Sequence, residues 1–319
     1  MNLLQPIRPN ASRRWVGDDV TPASSPTCGI DDARRLGDLL RVVSGRLRDA
    51  GVETARIDAR LLIAESARVR AEDILLHPDE VIGTPEAEVL EELVRRRESR
   101  EPMSHILGVK GFRTFDLSVS ADVLTPRPET ELLVEVAVAH FEDRGLTPDR
   151  ILDLGTGSGC IILSLIDHFA AARGVAVDIS EAALAVAKSN ADALDMTDRV
   201  DFLAGRWFEA LPMDESAFDL IVSNPPYIPT ADIADLAPEV RDFEPILALD
   251  GGEDGLDPYR EIIVGAKDRL RDGGLLALEI GIAQAELVSS LCRTAGFVEV
   301  SVADDLAGIP RVVSALKVS

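Results

Sequence analysis

The amino-acid sequence predicts an α/β fold, with a largely parallel sheet carrying the chemistry and a small helical bundle ahead of it. Three observations predict this. From about Asp31 to Arg100 apolar residues recur at helical spacing, whereas beyond residue 150 short apolar runs alternate with helical stretches. A glycine loop, Gly155-Thr156-Gly157-Ser158-Gly159, follows one such run. Another run ends in Ser223-Asn224-Pro225-Pro226-Tyr227. Open α/β sheets bind ligands at such loops, outside the carboxyl ends of their strands.

Composition bounds the reading. The 319 residues, 46% hydrophobic and 28% charged, suffice for one or two globular domains with a sizeable core. No uncharged apolar run is long enough to span a bilayer. Cys28, Cys160 and Cys292 are scattered without a C-x-x-C pair, which suits a reducing, cytoplasmic setting and no metal. His77, His105, His140 and His168 have neither ligand spacing nor a Ser or Cys partner, so packing or surface roles are expected. The net charge of −23 is uneven: residues 1–100 hold 16 basic and 18 acidic side chains, leaving 17 against 38 in the remainder. A nucleic-acid surface needs the opposite sign, so a basic protein partner is expected instead of DNA or RNA.

Residues 1–29 mix Pro, Ser, Asn and a few charges without periodicity and read as a disordered tail. Asp18 and Asp19 spoil the acid-poor pattern of a transit peptide. Residues 30–100 read as the bundle. Leu40, Val43 and Leu47 share a face ahead of Gly51; Ile57, Leu61 and Ile63 mark a second helix, and Ile74 to Leu76 a short third. Thr84-Pro85-Glu86 reads as a helix start with Thr84 as cap. Val89, Leu90, Leu93 and Val94 follow, and Arg95-Arg96-Arg97 suits the helix C-terminus. With no catalytic constellation, the bundle's natural role is substrate recognition. Residues 101–123 read as a linker, in which Glu101-Pro102-Met103 breaks the helix and Ile106 to Phe115 forms a glycine-punctuated hairpin.

Residues 124–319 hold the sheet. Leu124-Thr125-Pro126-Arg127-Pro128-Glu129-Thr130-Glu131 is a rigid turn, and Thr130 or Glu129 can start the helix of Leu132, Leu133 and Val136. Arg127 offers a fork of donors to a carboxylate or carbonyl near the ligand. Ile151 to Leu154 is a strand leading through the glycine loop into the apolar helix from Cys160. The G-x-G-x-G spacing differs from the dinucleotide fingerprint, yet it brings backbone close to a ligand at a helix N-terminus. Nineteen residues past Gly159, Asp178 ends the strand Gly174 to Val177, where an acid can take both ribose hydroxyls. That order points to a nucleoside-containing cofactor.

Val200 to Ala204 is the third strand and leads to Trp207, a flat ring suited to stacking or to the core. Phe218 to Val222 is the next. Two prolines cannot continue a central strand, so the chain leaves the sheet at Asn224. With φ locked, the Asn224 side chain and the Pro225 carbonyl present two fixed acceptors and Tyr227 a wall, a geometry suited to a planar –NH2 group. Glu244 to Leu256 reads as too acidic and glycine-rich for a core element. Leu275 to Ile280, ending in Glu279, is the fifth strand, and Val298 to Val302 with Val312 to Val318 supply a last pair.

Asn224-Pro225-Pro226-Tyr227 is similar to the catalytic motif of S-adenosylmethionine-dependent methyltransferases that modify amino or amide nitrogens. Together with Leu124 to Glu131, the hairpin and the Glu244–Leu256 loop, it makes the chain from about Asp31 onward resemble the peptide chain release factor glutamine N5-methyltransferases (the PrmC/HemK family). Arg206 stands where that family usually has an acid, and Ile309-Pro310 where it has a polar pair. The resemblance implies a Rossmann-like, seven-stranded class I methyltransferase sheet, mostly parallel with an antiparallel last strand. It implies S-adenosylmethionine as cofactor, held by Gly155, Thr156, Gly157, Ser158, Gly159, Asp178, Trp207 and Asn224, with Trp207 against adenine. It also implies Asn224, Pro225, Pro226 and Tyr227 at the substrate, with Asn224, Pro225 and Tyr227 catalytic. The acceptor would be the glutamine of the Gly-Gly-Gln loop of release factors, in support of translation termination. A monomer with no metal, membrane or direct nucleic-acid substrate is expected. Two other readings are weighed: a nucleic-acid amino (adenine N6 or guanine N2) methyltransferase, which needs a basic groove, and a non-catalytic nucleotide-binding module, which needs neither Asn224 nor Tyr227.

Overall fold

The computed structural model describes residues 30, 33–212 and 218–318. The tail expected over residues 1–29, with Cys28, lies outside them. The bundle consists of α1 (Leu36–Asp49), α2 (Ala55–Ala67), α3 (Asp73–Leu76) and α4 (Thr84–Glu98). Leu39, Val43, Leu62, Ile63, Leu90 and Val94 meet in its core. Two local expectations fail. Gly83, not Thr84, is the cap of α4, and Thr84 lies inside the helix. In α2 the inward face is Ala55, Ala59, Leu62 and Ile63, while Ile57 is exposed. Small alanines share that contact stripe, so counting large apolar residues alone misplaces it; in α4 the inward face is Leu90, Leu93 and Val94 as expected, while Val89 is exposed.

A short α5 (Met103–Leu107) takes up the first residues of the expected hairpin, and Gly108, left-handed at φ +70, ends it. The hairpin proper is β1 (Val109–Phe112) paired with β2 (Phe115–Ser118), Val109 opposite Ser118. A 3-10 turn, Pro128–Thr130, then enters α6 (Glu131–Glu142).

The main sheet is built from β3 (Arg150–Leu154), β4 (Arg173–Asp178), β5 (Val200–Ala204), β6 (Phe218–Ser223), β7 (Leu270–Glu279), β8 (Val298–Asp304) and β9 (Pro310–Leu316). Between them run α7 (Cys160–His168), α8 (Glu181–Ala193), α9 (Pro238–Arg241), α10 (Asp257–Arg269) and α11 (Ala285–Thr294). The strand order is β5-β4-β3-β6-β7-β9-β8, with β9 antiparallel to both neighbours, which is the expected seven-stranded class I methyltransferase sheet. β7 starts five residues earlier than its apolar pattern suggests, and its pairing with β6 shifts register between Phe218 and Leu220. Apolar clusters line both faces, as a buried parallel sheet requires. Among the described residues no helix is long and apolar enough to cross a membrane.

The order reverses at β3, which lies between β4 and β6 with Leu154 opposite Val177 on one side and Ser223 on the other. The Ser223 hydroxyl donates to the Leu154 carbonyl at 2.6 Å. The loops leaving β3 and β6 therefore open into one crevice, at the switch point of the sheet.

The bundle is fastened to this sheet by charge. Arg97, expected only to complement the end of α4, is buried; its Nε donates to Asp58 at 2.8 Å and its other nitrogen to Glu239 of α9 at 3.2 Å. Arg100 holds both oxygens of Glu239 at 2.6 and 2.8 Å. Removing one partner of a buried pair strands the other, at a typical cost of about 3–5 kcal/mol. Arg97→Ala should therefore lower the urea midpoint sharply, and Arg95→Ala, whose partner Glu92 is exposed, should leave it unchanged. Equal midpoints for the two variants would contradict this account of the pair.

Candidate active site

The crevice is a cavity of about 380 Å³, lined by Gly155 to Ser158, Asp178, Trp207, Asn224 and Pro226, with Arg127 and Thr130 on a further side. Gly159, Pro225 and Tyr227 are not on its lining. A side chain at Gly159 would meet Leu163 and Ala187 at 3.2 and 3.3 Å, so that glycine serves the packing of α7.

The loop is tied to its neighbours through hydrogen bonds. The Gly157 and Ser180 N–H groups each donate to Asp178 at 2.9 Å. Burial pushes the Asp178 carboxyl up, and these backbone donors pull it back. The Thr156 hydroxyl donates to Asp153 at 2.6 Å. Asp153 is fully buried, and its carboxyl is pushed up to about 7, by burial first, against the Thr156 bond. Ser158 Oγ and Trp207 Nε1 are buried without a hydrogen-bond partner among the described residues.

Trp207 both lines the cavity and packs on the core, with its ring about 3.5 Å from where a Gly155 side chain would start. Arg206 also lines the cavity, beside the Trp207 ring, and is held by a surface pair with Glu261. Arg127 does find a carboxylate, but the chain's own: it donates to Glu244 at 2.5 Å. The Glu244 side chain is 1% exposed, so the loop from Glu244 to Leu256 is not excluded from the interior as its composition suggested. Glu244, Leu249 and Leu256 are all buried.

The glycines of that loop make the difference. Ile228 pairs with Asp250, and a side chain on Gly251 would stand 2.9 Å from the Tyr227 backbone. Gly255 is left-handed and lies as close to the Tyr227 carbonyl. The loop can therefore be laid directly against the exit from β6. Gln284 locks the layers together, donating to the carbonyls of Tyr227 and Gly255 at 3.0 and 3.2 Å and accepting from Gly281 N–H at 2.9 Å. The Tyr227 ring lies over Gly281, and burial pushes its phenol up to about 12. Asn224 Nδ2 donates to Thr130 Oγ1 at 3.2 Å. Behind them Glu279 ends β7, 2% exposed.

Glu244, Thr130, Glu279 and Gln284 were not singled out from the sequence as site residues. For Glu279 a signal existed: a lone acid closing the apolar run Leu275 to Leu278 at the ligand edge of the sheet. Gly273 is also left-handed, yet a side chain there would meet nothing within 4 Å. Gly273→Ala should thus cost only the conformational ~1–2 kcal/mol. Gly255→Ala should cost visibly more in thermal midpoint, because the added carbon collides with the Tyr227 carbonyl. Equal losses would mean the loop has room to yield.

Comparison with known proteins agrees with this architecture. Residues 38–108 match the family model described as the PrmC N-terminal domain, and residues 148–298 match a methyltransferase domain. The chain is 47% identical over 286 residues to the release factor glutamine methyltransferase of Rhodospirillum rubrum, covering 90% of this chain and 86% of that protein. It is 45% identical over 272 residues to that of Caulobacter vibrioides, covering 85% and 93%. The hMettl16 catalytic domain, solved in complex with MAT2A 3'UTR hairpin 6, is similar in fold at TM-score 0.51 and 18% identity, over 74% of this chain and 84% of that one. With its sheet order, its Asn-Pro-Pro-Tyr exit and relatives of this closeness, the chain belongs to the release factor glutamine methyltransferase family.

Proposed function

We propose that the protein transfers a methyl group from S-adenosylmethionine to the side-chain amide nitrogen of a glutamine, that of the Gly-Gly-Gln loop of peptide chain release factors. The observation that carries the reading is a single cavity shared by the glycine loop, Asp178 and Trp207 with Asn224. Its volume suits a ligand of cofactor size. The unpartnered Ser158 Oγ and Trp207 Nε1 fit a polar ligand laid along the loop.

The loop from Gly155 to Ser158, at the N-terminus of α7, would take the cofactor's amino-acid end. The N–H groups of Gly155, Thr156 and Gly157 are given to Val177 and Asp178, so they shape the loop and the Ser158 hydroxyl faces the ligand. Asp178 would take the ribose hydroxyls: each of its oxygens accepts one backbone N–H, and a carboxylate has about four acceptor sites. Trp207 would lie against the adenine. When bound, S-adenosylmethionine supplies an electrophilic methyl group. An amide nitrogen is a weak nucleophile because its lone pair is shared with the carbonyl. Asn224 Oδ1 and the Pro225 carbonyl, accepting the two amide N–H bonds, would align that nitrogen and stabilise the positive charge it gains. Tyr227, its phenol pushed up to about 12, stays neutral at working pH and contributes shape, not a base.

The acidic balance beyond residue 100 favours a basic protein over nucleic acid as the partner, and the bundle of α1 to α4 is assigned its recognition. A cytoplasmic monomer is the setting that goes with this reading. Asn224→Ala should lower the single-turnover rate about 10²–10³-fold, the usual effect of removing one preorganised group at a site of developing charge. Cofactor affinity should change little. Asp178→Ala should instead weaken cofactor binding by about 1.5–3 kcal/mol in calorimetry. An Asn224→Ala enzyme at the wild-type rate would reduce that residue to a turn former and sink the mechanism.

A further inference from the structure

The Asn224 amide can be turned over about its last bond with no change of shape, exchanging an acceptor for a donor. In the mechanism above only one orientation works, with Oδ1 toward the substrate. Thr130, which receives Nδ2, cannot decide the matter alone, because a hydroxyl both donates and accepts. The group behind it can. Glu279 stands one register step beyond the Ser223–Leu278 pair, so β7 delivers its carboxyl beside Asn224. Thr130 and Asn224 stand near enough for both to pull its carboxyl down. Its Oε2 is buried without a hydrogen-bond partner among the described residues.

We propose that Glu279 is a positioning residue: its carboxylate, able only to accept, draws the Thr130 hydroxyl and the Asn224 Nδ2 group toward itself and so keeps Asn224 Oδ1 directed at the substrate amide. The inference rests on the role given to Asn224. An ionised Glu279 can only accept from the Thr130 hydroxyl, which leaves a Thr130 lone pair for Nδ2; every link then has one direction. A protonated Glu279 becomes a donor, and the amide is free to turn.

The surroundings make that protonation accessible. Burial dominates and pushes the carboxyl up to about 7; the nearby Thr130 hydroxyl, the Arg311 charge and the Asn224 amide pull it down, and Glu129 adds to the rise. The other titratable groups within its influence are Tyr227, Tyr259 and Cys160, all pushed up by burial and neutral near pH 7. The active form is the ionised one, so the rate should be full above this value and fall as pH drops through it. Asp153 titrates in the same range at the glycine loop, so the rate must be read at saturating cofactor.

The test is single-turnover methyl transfer to release factor across roughly pH 6 to 8.5, with wild type, Glu279→Gln, Asn224→Ala and the double variant. Wild type should show an acidic limb near pH 7. Glu279→Gln, which keeps the shape but can donate, should be about 10–100-fold slower at pH 8, the usual loss from removing an orienting partner. It should lack the limb and should bind cofactor normally. In the Asn224→Ala background it should cost nothing more, because the two act as a unit. Thr130→Val removes the hydroxyl while keeping the charge, and should behave the same way if Glu279→Gln does not fold. A slow Asn224→Ala beside a Glu279→Gln enzyme with wild-type rate and limb overturns the inference alone. Equal losses from Glu279→Gln with and without Asn224 overturn it too, by showing a structural role. A wild-type rate for Asn224→Ala removes the parent reading instead.

Discussion

Two consecutive prolines withhold the N–H groups that a continued β6 would have to give its neighbours, so the chain must leave the sheet at Asn224. Because β6 lies against β3, that exit falls beside the glycine loop. The rest of the site answers this constraint. Asp250 and Gly251 are laid along Ile228, Gln284 ties the Tyr227 carbonyl to Gly255, and Thr130 meets the Asn224 amide. An irregular backbone in the interior is tolerated only when its polar groups are met, and here the backbone of Leu249 and Gly251 meets Ile228 while the Gln284 side chain meets Tyr227.

Three acids are buried around the crevice, and their partners decide what each can do. Taking a carboxylate out of water costs several kcal/mol, so the balance depends on what replaces the water. Glu244 has the Arg127 guanidinium and joins the turn after the hairpin to the loop beyond Tyr227. Asp153 has the Thr156 hydroxyl and Glu279 keeps an oxygen without a partner among the described residues, and burial pushes both up to about 7. Neutral partners orient a carboxylate without holding it ionised. The chain thus keeps titratable groups behind the glycine loop and behind Asn224, while the exposed acids beyond residue 100 set the field outside.

What was legible in the sequence is what short-range chemistry encodes. Gly155 to Gly159 and the Asn-Pro-Pro-Tyr exit stand out because glycine and proline restrict the backbone wherever they occur, and Asp178 because a strand ends at it. The seven-stranded sheet with its antiparallel last strand followed from the resemblance those stretches carry. Illegible were the partners joined by the fold across long separations: Arg97 with Glu239, Arg127 with Glu244, Asn224 with Thr130. The inward face of α2 was missed for a different reason, since alanine packs as closely as leucine while weighing little in an apolar count. The Glu244–Leu256 loop misled because acids and glycines normally mark a surface, and here they serve a buried pair and a close backbone approach.

The central claim is that this acidic protein methylates a glutamine amide and not a base. Labelled S-adenosylmethionine offered with release factor, duplex DNA and ribosomal RNA in parallel tests it most directly. The account predicts label in the release factor, on the amide nitrogen of one glutamine in its Gly-Gly-Gln loop, and none when that glutamine is replaced. Label appearing in nucleic acid alone would contradict it.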